Sequence, residues 1–396
     1  MRIGIYLENY DAGGVETVIA NTVANWPNPN DEFILVANRE ADGVQIILKE
    51  RLPHGFISVP TEIISLPVLH ARHPRYRTLI RGVGYYGRYF LILVNALRLK
   101  RLFAGLKLDR LLIHNGGYPG AFSAVSALIA ARVCGMEQPV FIVHNLPQEI
   151  HFLQRPFDFI YDFLVQRYSR AVCVSHKAAL KLREVRAFKK LPIVVHNGVD
   201  EQTACPQLST RAISGRFNIA SVGRLSSEKG HRYLLDALKR LKESAAYLDF
   251  LLHVFGKGTP RQEAELTQAV QDRNLEKHVV FHGFVREMPQ AIAGFDALVL
   301  ASYEVESLPM VILEAMSLSI PVVATDIGGV CEIIENGVSG LVVPIQDAQA
   351  LSSAILQLMC DSELKTQIGE NGRKRFHSEF TAKKMALRYH EIVYCQ

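Results

Sequence analysis

Nowhere in the 396 residues do about 18 apolar residues follow one another, the least that a helix needs to cross a bilayer. The longest candidate, from Tyr89 to Leu97, has about half that length. The opening MRIGIYLENYDAGG places Glu8 and Asp11 where a secretory leader is apolar, so it reads as non-secretory. No C-x-x-C occurs among the cysteines Cys134, Cys173, Cys205, Cys331, Cys360 and Cys395. That excludes the common zinc spacings and a disulfide framework, and predicts reduced, buried thiols in the cytosol. No G-x-G-x-x-G follows a first strand, which counts against a NAD-dependent dehydrogenase. No D-x-D closes a strand to suggest a metal-held diphosphate.

Acidic residues are missing altogether from Ile63 to Leu108. That window holds nine cations, so with a net charge of +5 the other residues together carry −4. Arg77, Arg81 and Arg88 would fall within about 40° of one another on an ideal helix. Tyr85, Tyr86, Tyr89 and Phe90 interleave with them, although Gly82, Gly84 and Gly87 count against a continuous helix. A basic, aromatic, acid-free segment suits the surface of an anionic membrane. No nucleic-acid recognition motif accompanies it. A solvated face on a core helix is the plainer alternative.

A hydrophobic content of 49% excludes disorder, and the length suits two domains of about 200 residues. The chain also starts twice. Ile3–Leu7 reads as a buried strand, followed by a loop with Gly13 and Gly14 and a helix from Glu16 to Trp26. Phe217–Gly223 repeats the pattern, with the loop Arg224–Gly230 and a helix from His231. Both readings predict an α/β chain of two Rossmann-like halves. Residues 1–200 form the first, 201–215 a polar linker, 216–375 the second and 376–396 a final helix. Arg224 and Lys229 share one loop at a strand tip, where two fixed cations can neutralise a diphosphate, unless they are ordinary surface cations. Phe250–Phe255 is a strand ending in Gly256-Lys257-Gly258, which lets a ligand approach the backbone closely.

The rest is organised around Phe295–Gly340, which reads as strand, loop, helix, strand, glycine turn and helix. Pro309 is expected in the first helical turn, where a missing N–H costs nothing. The amides of Ser307, Leu308 and Met310 would leave that helix end open to a phosphate. Glu306 in the loop and Glu314 on the helix could meet sugar and ribose hydroxyls. Taken alone, the two could as well be solvated charges on an ordinary βα unit.

The run EVESLPMVILEAMSLSIPVVATDIGGVCEIIENGVSGLVV closely resembles the signature of family 4 glycosyltransferases. Members have the GT-B fold, two Rossmann-like domains facing across a cleft with the last helix returning to the first, and retain anomeric configuration. The resemblance extends to GR-x-x-x-x-K-G at Gly223, Arg224 and Lys229, and weakly to Gly13-Gly14 and FIVHN. It is strong only from Asn218 onward. Two departures are Ser307, often Gly in the family, and Thr17, often Arg.

The resemblance implies transfer of a sugar from a nucleoside diphosphate sugar to a hydroxyl acceptor, with no metal or other cofactor. It implies catalytic roles for Arg224, Lys229, Glu306 and His144. Gly13, Gly14, Gly223, Gly256, Gly258 and Phe284 would join the donor site, together with Ser307, Leu308, Met310, Val311 and Glu314. His144 would meet the donor sugar, and His114 ranks below it. With the basic window, the acceptor is expected to be lipid-linked, at the cytosolic face of a membrane. The competing expectations are a nucleotide-sugar epimerase or hydrolase on the same fold, and a non-catalytic membrane-binding scaffold.

Overall fold

The computed structural model describes residues 1–8, 13–39, 56–65, 69, 77–150, 155–186, 188–201, 212–213, 215–245, 247–304 and 306–395. The side chains of 77–86, 88 and 156 fall outside that description, and with them those of Arg77, Arg81 and Arg88. Most of the predicted linker 201–215 lies outside it too.

Two all-parallel sheets carry the chain. The first contains β1 (Arg2–Leu7), β2 (Glu32–Asn38), β3 (Ile57–Thr61), β4 (Arg110–Asn115), β5 (Val140–Val143), β6 (Arg170–Cys173) and β7 (Ile193–Val194). Their order is β3-β2-β1-β4-β5-β6-β7. β1, β2, β4 and β5 are near-continuous apolar runs, as a parallel sheet covered on both faces requires. The order reverses between β1 and β4, and ligands of such sheets bind outside the strand ends at that reversal. The helices are α1 (Gly14–Ala24), α2 (Arg77–Leu106), α3 (Ser123–Val133), α4 (Arg155–Tyr168) and α5 (His176–Arg186). α2 runs unbroken through its glycines. Its later turns bury Ile92, Ala96, Leu99 and Phe103 in the core, and such packing outweighs local propensity.

The second sheet contains β8 (Phe217–Val222), β9 (Phe250–Phe255), β10 (Val279–Gly283), β11 (Ala297–Leu300), β12 (Val322–Thr325) and β13 (Leu341–Val343), in the order β10-β9-β8-β11-β12-β13. Here the reversal falls between β8 and β11. The helices are α6 (His231–Ser244), α7 (Pro260–Gln271), α8 (Met288–Ile292), α9 (Met310–Ser317), α10 (Val330–Ile333), α11 (Ala348–Cys360), α12 (Ser362–Glu379) and α13 (Ala382–Tyr394).

The chain forms two compact units. One holds residues 1–197 with α13, the other 198–381. α13 is tied to the first unit at both sheet and helix. The Tyr394 hydroxyl donates to Asp31 at 2.7 Å, and His390 packs against Trp26 at 5.3 Å. Arg110 and Arg170 donate to the carbonyls of Val393 and Ile392, satisfying the open end of the helix. A single helix from 376 is therefore corrected. The chain breaks after α12, and residues 376–381 remain with the second unit, where Phe376 and Phe380 are buried and Thr381 bridges Val199.

Two other expectations change. Cys173 is buried, but Cys331, Cys360 and Cys395 are exposed, because they sit on the outer turns of helices or beyond the last one. Pro309 precedes α9 as its N-cap, in extended conformation, instead of occupying the first turn. Among the described residues no helix is long and apolar enough to cross a membrane.

Candidate functional site

In the second unit the tips of β8, β9 and β10 are laced together. The Gly223 amide donates to Phe255 O at 2.9 Å, and the Gly256 amide to Gly283 O at 2.8 Å. Gly256 has φ +151°, and a Cβ there would stand 1.8 Å from Gly223 O. Only glycine fits that contact. Gly258 turns the chain into α7, where Thr259 and Gln262 form a capping box.

The loop after β8 forms a short 3-10 turn, Ser227–Lys229. Lys229 and Glu306 face each other there, and the Lys229 ammonium donates to Glu306 Oε1. The pair is mostly buried, with 17% and 11% of the two side chains exposed. The Ser302 hydroxyl donates to the same oxygen at 2.9 Å. Ser302 is fixed in turn, since the Thr325 hydroxyl donates to its carbonyl from the end of β12. Gly328 closes the other side. It has φ +55°, and a Cβ there would fall 1.9 Å from Glu306 O. The Gly329 amide donates to Ser307 O at 2.7 Å. Glu306 is therefore no solvated surface charge. Strand, turn and glycine loop hold it against a cation in a nearly dry setting, where charge interactions are strong.

Arg224 differs. Its side chain is 67% exposed, and its contact with Glu228 is long, at 3.4 Å. Burial works against the Glu228 charge, but the Ser226 hydroxyl and the neighbouring cations hold its carboxyl below the usual range. The His231 Nε2–H donates to Arg224 O at 3.0 Å, and burial lowers the pKa of the imidazole.

Ser307 and Leu308 are buried, and Met310, Val311 and Glu314 are partly so on α9. Phe284 stands more than half exposed just past β10. The structure thus brings Gly223, Gly256, Lys229, Glu306 and Ser307 into one connected framework. Phe284 and Arg224 project from it without comparable anchoring.

In the first unit Gly13 caps α1, its amide donating to the buried Glu16 carboxylate at 2.8 Å. Gly14 opens the helix. His144 lies just past β5 and meets His114 of β4, Nδ1 of His114 to Nε2 of His144 at 2.9 Å. Burial pushes His144 down to about 3 and His114 well below its ordinary value, so both imidazoles stay neutral. The pairing was visible only as two His-Asn strand ends in the sequence. Ser302, Thr325 and Gly328 were missed as supports of Glu306. Only the DIGG turn hinted at one of them. Glu8 was noted only as a charge that spoils a leader. It lies just past β1 and accepts from the amide and hydroxyl of Ser123 at the start of α3, where the helix dipole favours a carboxylate.

Comparison with known proteins fits this picture. Residues 209–375 match the family described as glycosyl transferases group 1. N-acetyl-alpha-D-glucosaminyl L-malate synthase of Bacillus anthracis is 25% identical over 59% of this chain and 61% of its own length. The UDP-Gal:alpha-D-GlcNAc-diphosphoundecaprenol alpha-1,3-galactosyltransferase of Escherichia coli is 23% identical over 65% of this chain and 68% of its own. Alpha-D-kanosaminyltransferase of Streptomyces kanamyceticus is 29% identical over 49% of this chain and 50% of its own. The chain thus spans about half to two-thirds of the length of the curated relatives it matches. Among solved structures, Anabaena HepE in complex with UDP superposes with a TM-score of 0.79 at 20% identity, covering both chains completely. A glycosyltransferase from Rickettsia africae gives 0.78 at 19% identity, over 100% of this chain and 99% of that one. The fold is that of GT-B glycosyltransferases, with two Rossmann-like domains.

Proposed function

We propose that the chain is a retaining glycosyltransferase of family 4 type, moving a sugar from a nucleoside diphosphate sugar to a hydroxyl acceptor. The observation that carries this is the Lys229–Glu306 pair, fixed at the ends of β8 and β11 where the second sheet reverses. Each partner is left with an uncompensated buried charge if the other is drawn away, so a ligand there must supply both an anion and hydroxyl groups. A sugar diphosphate does so. Its phosphates meet Lys229, Arg224 and the amides ahead of α9, and its sugar hydroxyls meet Glu306. Glu314 is assigned the ribose hydroxyls, and Phe284 and the glycine tips of β9 and β10 the base side. His144, held neutral, is assigned a hydrogen bond to the transferred sugar. HepE is described in complex with UDP-glucose, which supports this donor class.

In the reaction the bond from the anomeric carbon to the phosphate oxygen breaks, and one to the acceptor oxygen forms on the same face. The acceptor's proton passes to the leaving phosphate, so neither glutamate need be a nucleophile. Arg224, Lys229 and the α9 dipole carry the developing charge, a role that requires no metal. The acceptor is lipid-linked, and the segment with Arg77, Arg81 and Arg88 docks at the cytosolic face of an anionic membrane. The name of the E. coli relative, with its diphosphoundecaprenol acceptor, supports that class.

The test is a thermal-shift screen of nucleoside diphosphates and their sugars, followed by NMR of the product. Ligand at about 100 times its dissociation constant stabilises by roughly 2.7 kcal/mol. An inverted linkage, or donor turnover without any acceptor, would remove the retaining transferase reading. Loss of turnover on chelation would remove its metal independence.

A further inference from the structure

Helix α4 has the sequence RPFDFIYDFLVQRY. At 100° per residue, Phe159, Phe163, Arg167 and Ile160 fall within about 100° of one another, and Asp158, Asp162, Tyr161 and Val165 occupy about 100° on the other side. The structure buries the second set and exposes the first. Phe159, Ile160 and Phe163 are between 51% and 67% exposed. Both acids of the helix are thereby withdrawn from solvent and bound by Arg186, which donates to Asp158 at 2.9 Å and to Asp162 at 3.0 Å. What α4 shows to solvent is aromatic, aliphatic or cationic.

Helix α2 does the same beside it. Phe90, Leu93, Leu97 and Arg101 share an arc of about 80°. All four are exposed, and the helix contains no acid at all. The two helices are joined by Tyr89, which stacks on Phe157 at 4.5 Å and donates to Asp158 at 3.1 Å. Monomeric proteins rarely expose so many large apolar side chains together. The exposed cations on the two helices, Arg98, Lys100 and Arg101 on α2 and Arg155 and Arg167 on α4, favour an anionic surface.

We propose that α2 and α4 form one platform that lies on an anionic lipid bilayer, with Phe159, Ile160 and Phe163 entering the headgroup boundary and the surrounding arginines meeting lipid phosphates. This deepens the membrane part of the proposed function by adding a second helix and an apolar contact. The burial of Asp158 and Asp162 against Arg186 has a purpose on this account, since either carboxylate at the surface would repel the lipid.

The test is sedimentation of the full chain with vesicles of phosphatidylcholine, alone or mixed with phosphatidylglycerol. Wild type should bind the anionic vesicles, and Phe159→Asp with Phe163→Asp should weaken that binding by about tenfold or more, since each phenylalanine loses a buried apolar contact. Arg155→Glu with Arg167→Glu should remove the preference for anionic over neutral vesicles. All these residues are exposed, and an unchanged urea transition followed by Trp26 fluorescence in the same unit serves as the folding control.

Full binding by the phenylalanine variant overturns the platform. If Arg77, Arg81 and Arg88 changed together to Glu detach that same protein, the basic-segment reading survives alone. Wild type left in the supernatant overturns both, while turnover with a soluble acceptor tests the chemistry separately. A concentration-dependent dimer in ultracentrifugation, dispersed by the phenylalanine substitutions, makes the face a contact between copies and also overturns the proposal.

Discussion

The two units bury charge for different ends. In the first, the Arg186 guanidinium lies wholly enclosed between Asp158 and Asp162, with Tyr118 donating to Asp162 at 2.7 Å and its ring against the guanidinium. Every group of that network belongs to a helix flank or a loop over the core. In the second, Lys229 and Glu306 stand in loops beyond strand tips, beside glycines that let neighbouring backbone approach closely. A network closed on all sides has no vacant direction for a substrate; it ties α5 to α4 and keeps both carboxylates out of solvent. A pair set among backbone amides at a sheet reversal can exchange its internal partner for an external one.

The sharpest way to break that contrast is Arg186→Met. It leaves two carboxylates facing each other without a cation and should destabilise the first unit by about 3–5 kcal/mol. Trp26, the only tryptophan, lies in that unit, so its fluorescence follows the urea transition there. Nucleotide affinity should stay unchanged in whatever fraction remains folded. A transition at the wild-type midpoint would mean the network is not structural.

The counterpart in the second unit is Lys229→Ala or Arg224→Ala. Either should lower turnover by roughly 100-fold or more, the scale of losing a fixed charge-stabilising donor, with little change in Trp26 unfolding. Near-normal turnover in both variants would take the clamp out of the mechanism.

A smaller effect separates the two glutamates. Calorimetry with a bare nucleoside diphosphate should show Glu314→Gln losing roughly 1.5–3 kcal/mol, for charge-assisted bonds to ribose. Glu306→Gln should instead act mainly on the sugar-bearing donor. Equal losses on the bare nucleotide would overturn that division.

The smallest effect lies in pH. Burial pushes Asp162 up to about 6, so its folded form holds a proton that the unfolded chain releases near the ordinary value of 3.8. Its contribution is present below that value and is lost as pH rises through 6. Burial pushes His144 down to about 3, so its contribution is present above the ordinary 6.5 and is lost as pH falls. Between pH 4 and 6 the two oppose each other, each by up to about 1.4 kcal/mol per pH unit. Asp162→Asn should therefore steepen the acid loss of stability in the first unit, and His144→Gln should flatten it. Parallel profiles for both variants and wild type would show that neither group titrates as its burial implies.

How much of this was legible from residues alone follows the range of the interactions. Strand cores such as FILVA and VVAT declared themselves by continuous apolar runs, and the loop Arg224–Gly230 by its place after a strand. Glu306 and Lys229 were each recognisable, but their pairing across 77 residues was not. Neither was the fate of Asp158 and Asp162, since Arg186 reaches them from 28 and 24 residues further on. The start of the last helix was misjudged for the same reason. Nothing local in residues 376–394 says that Phe376 and Phe380 belong to one unit and Tyr389 to the other.

The sequence by itself determined the two-fold repetition of the βα pattern, the glycine and cation spacing of the candidate donor site, and the one-sided charge of the segment before Leu108. These rest on short-range rules of periodicity, φ freedom and charge count, which need no partner to be stated. Tertiary structure alone decided which charges are buried against each other, which histidines pair, and which apolar faces stay uncovered. Those outcomes depend on desolvation, and desolvation is set by what the rest of the chain places within a few ångströms of a side chain.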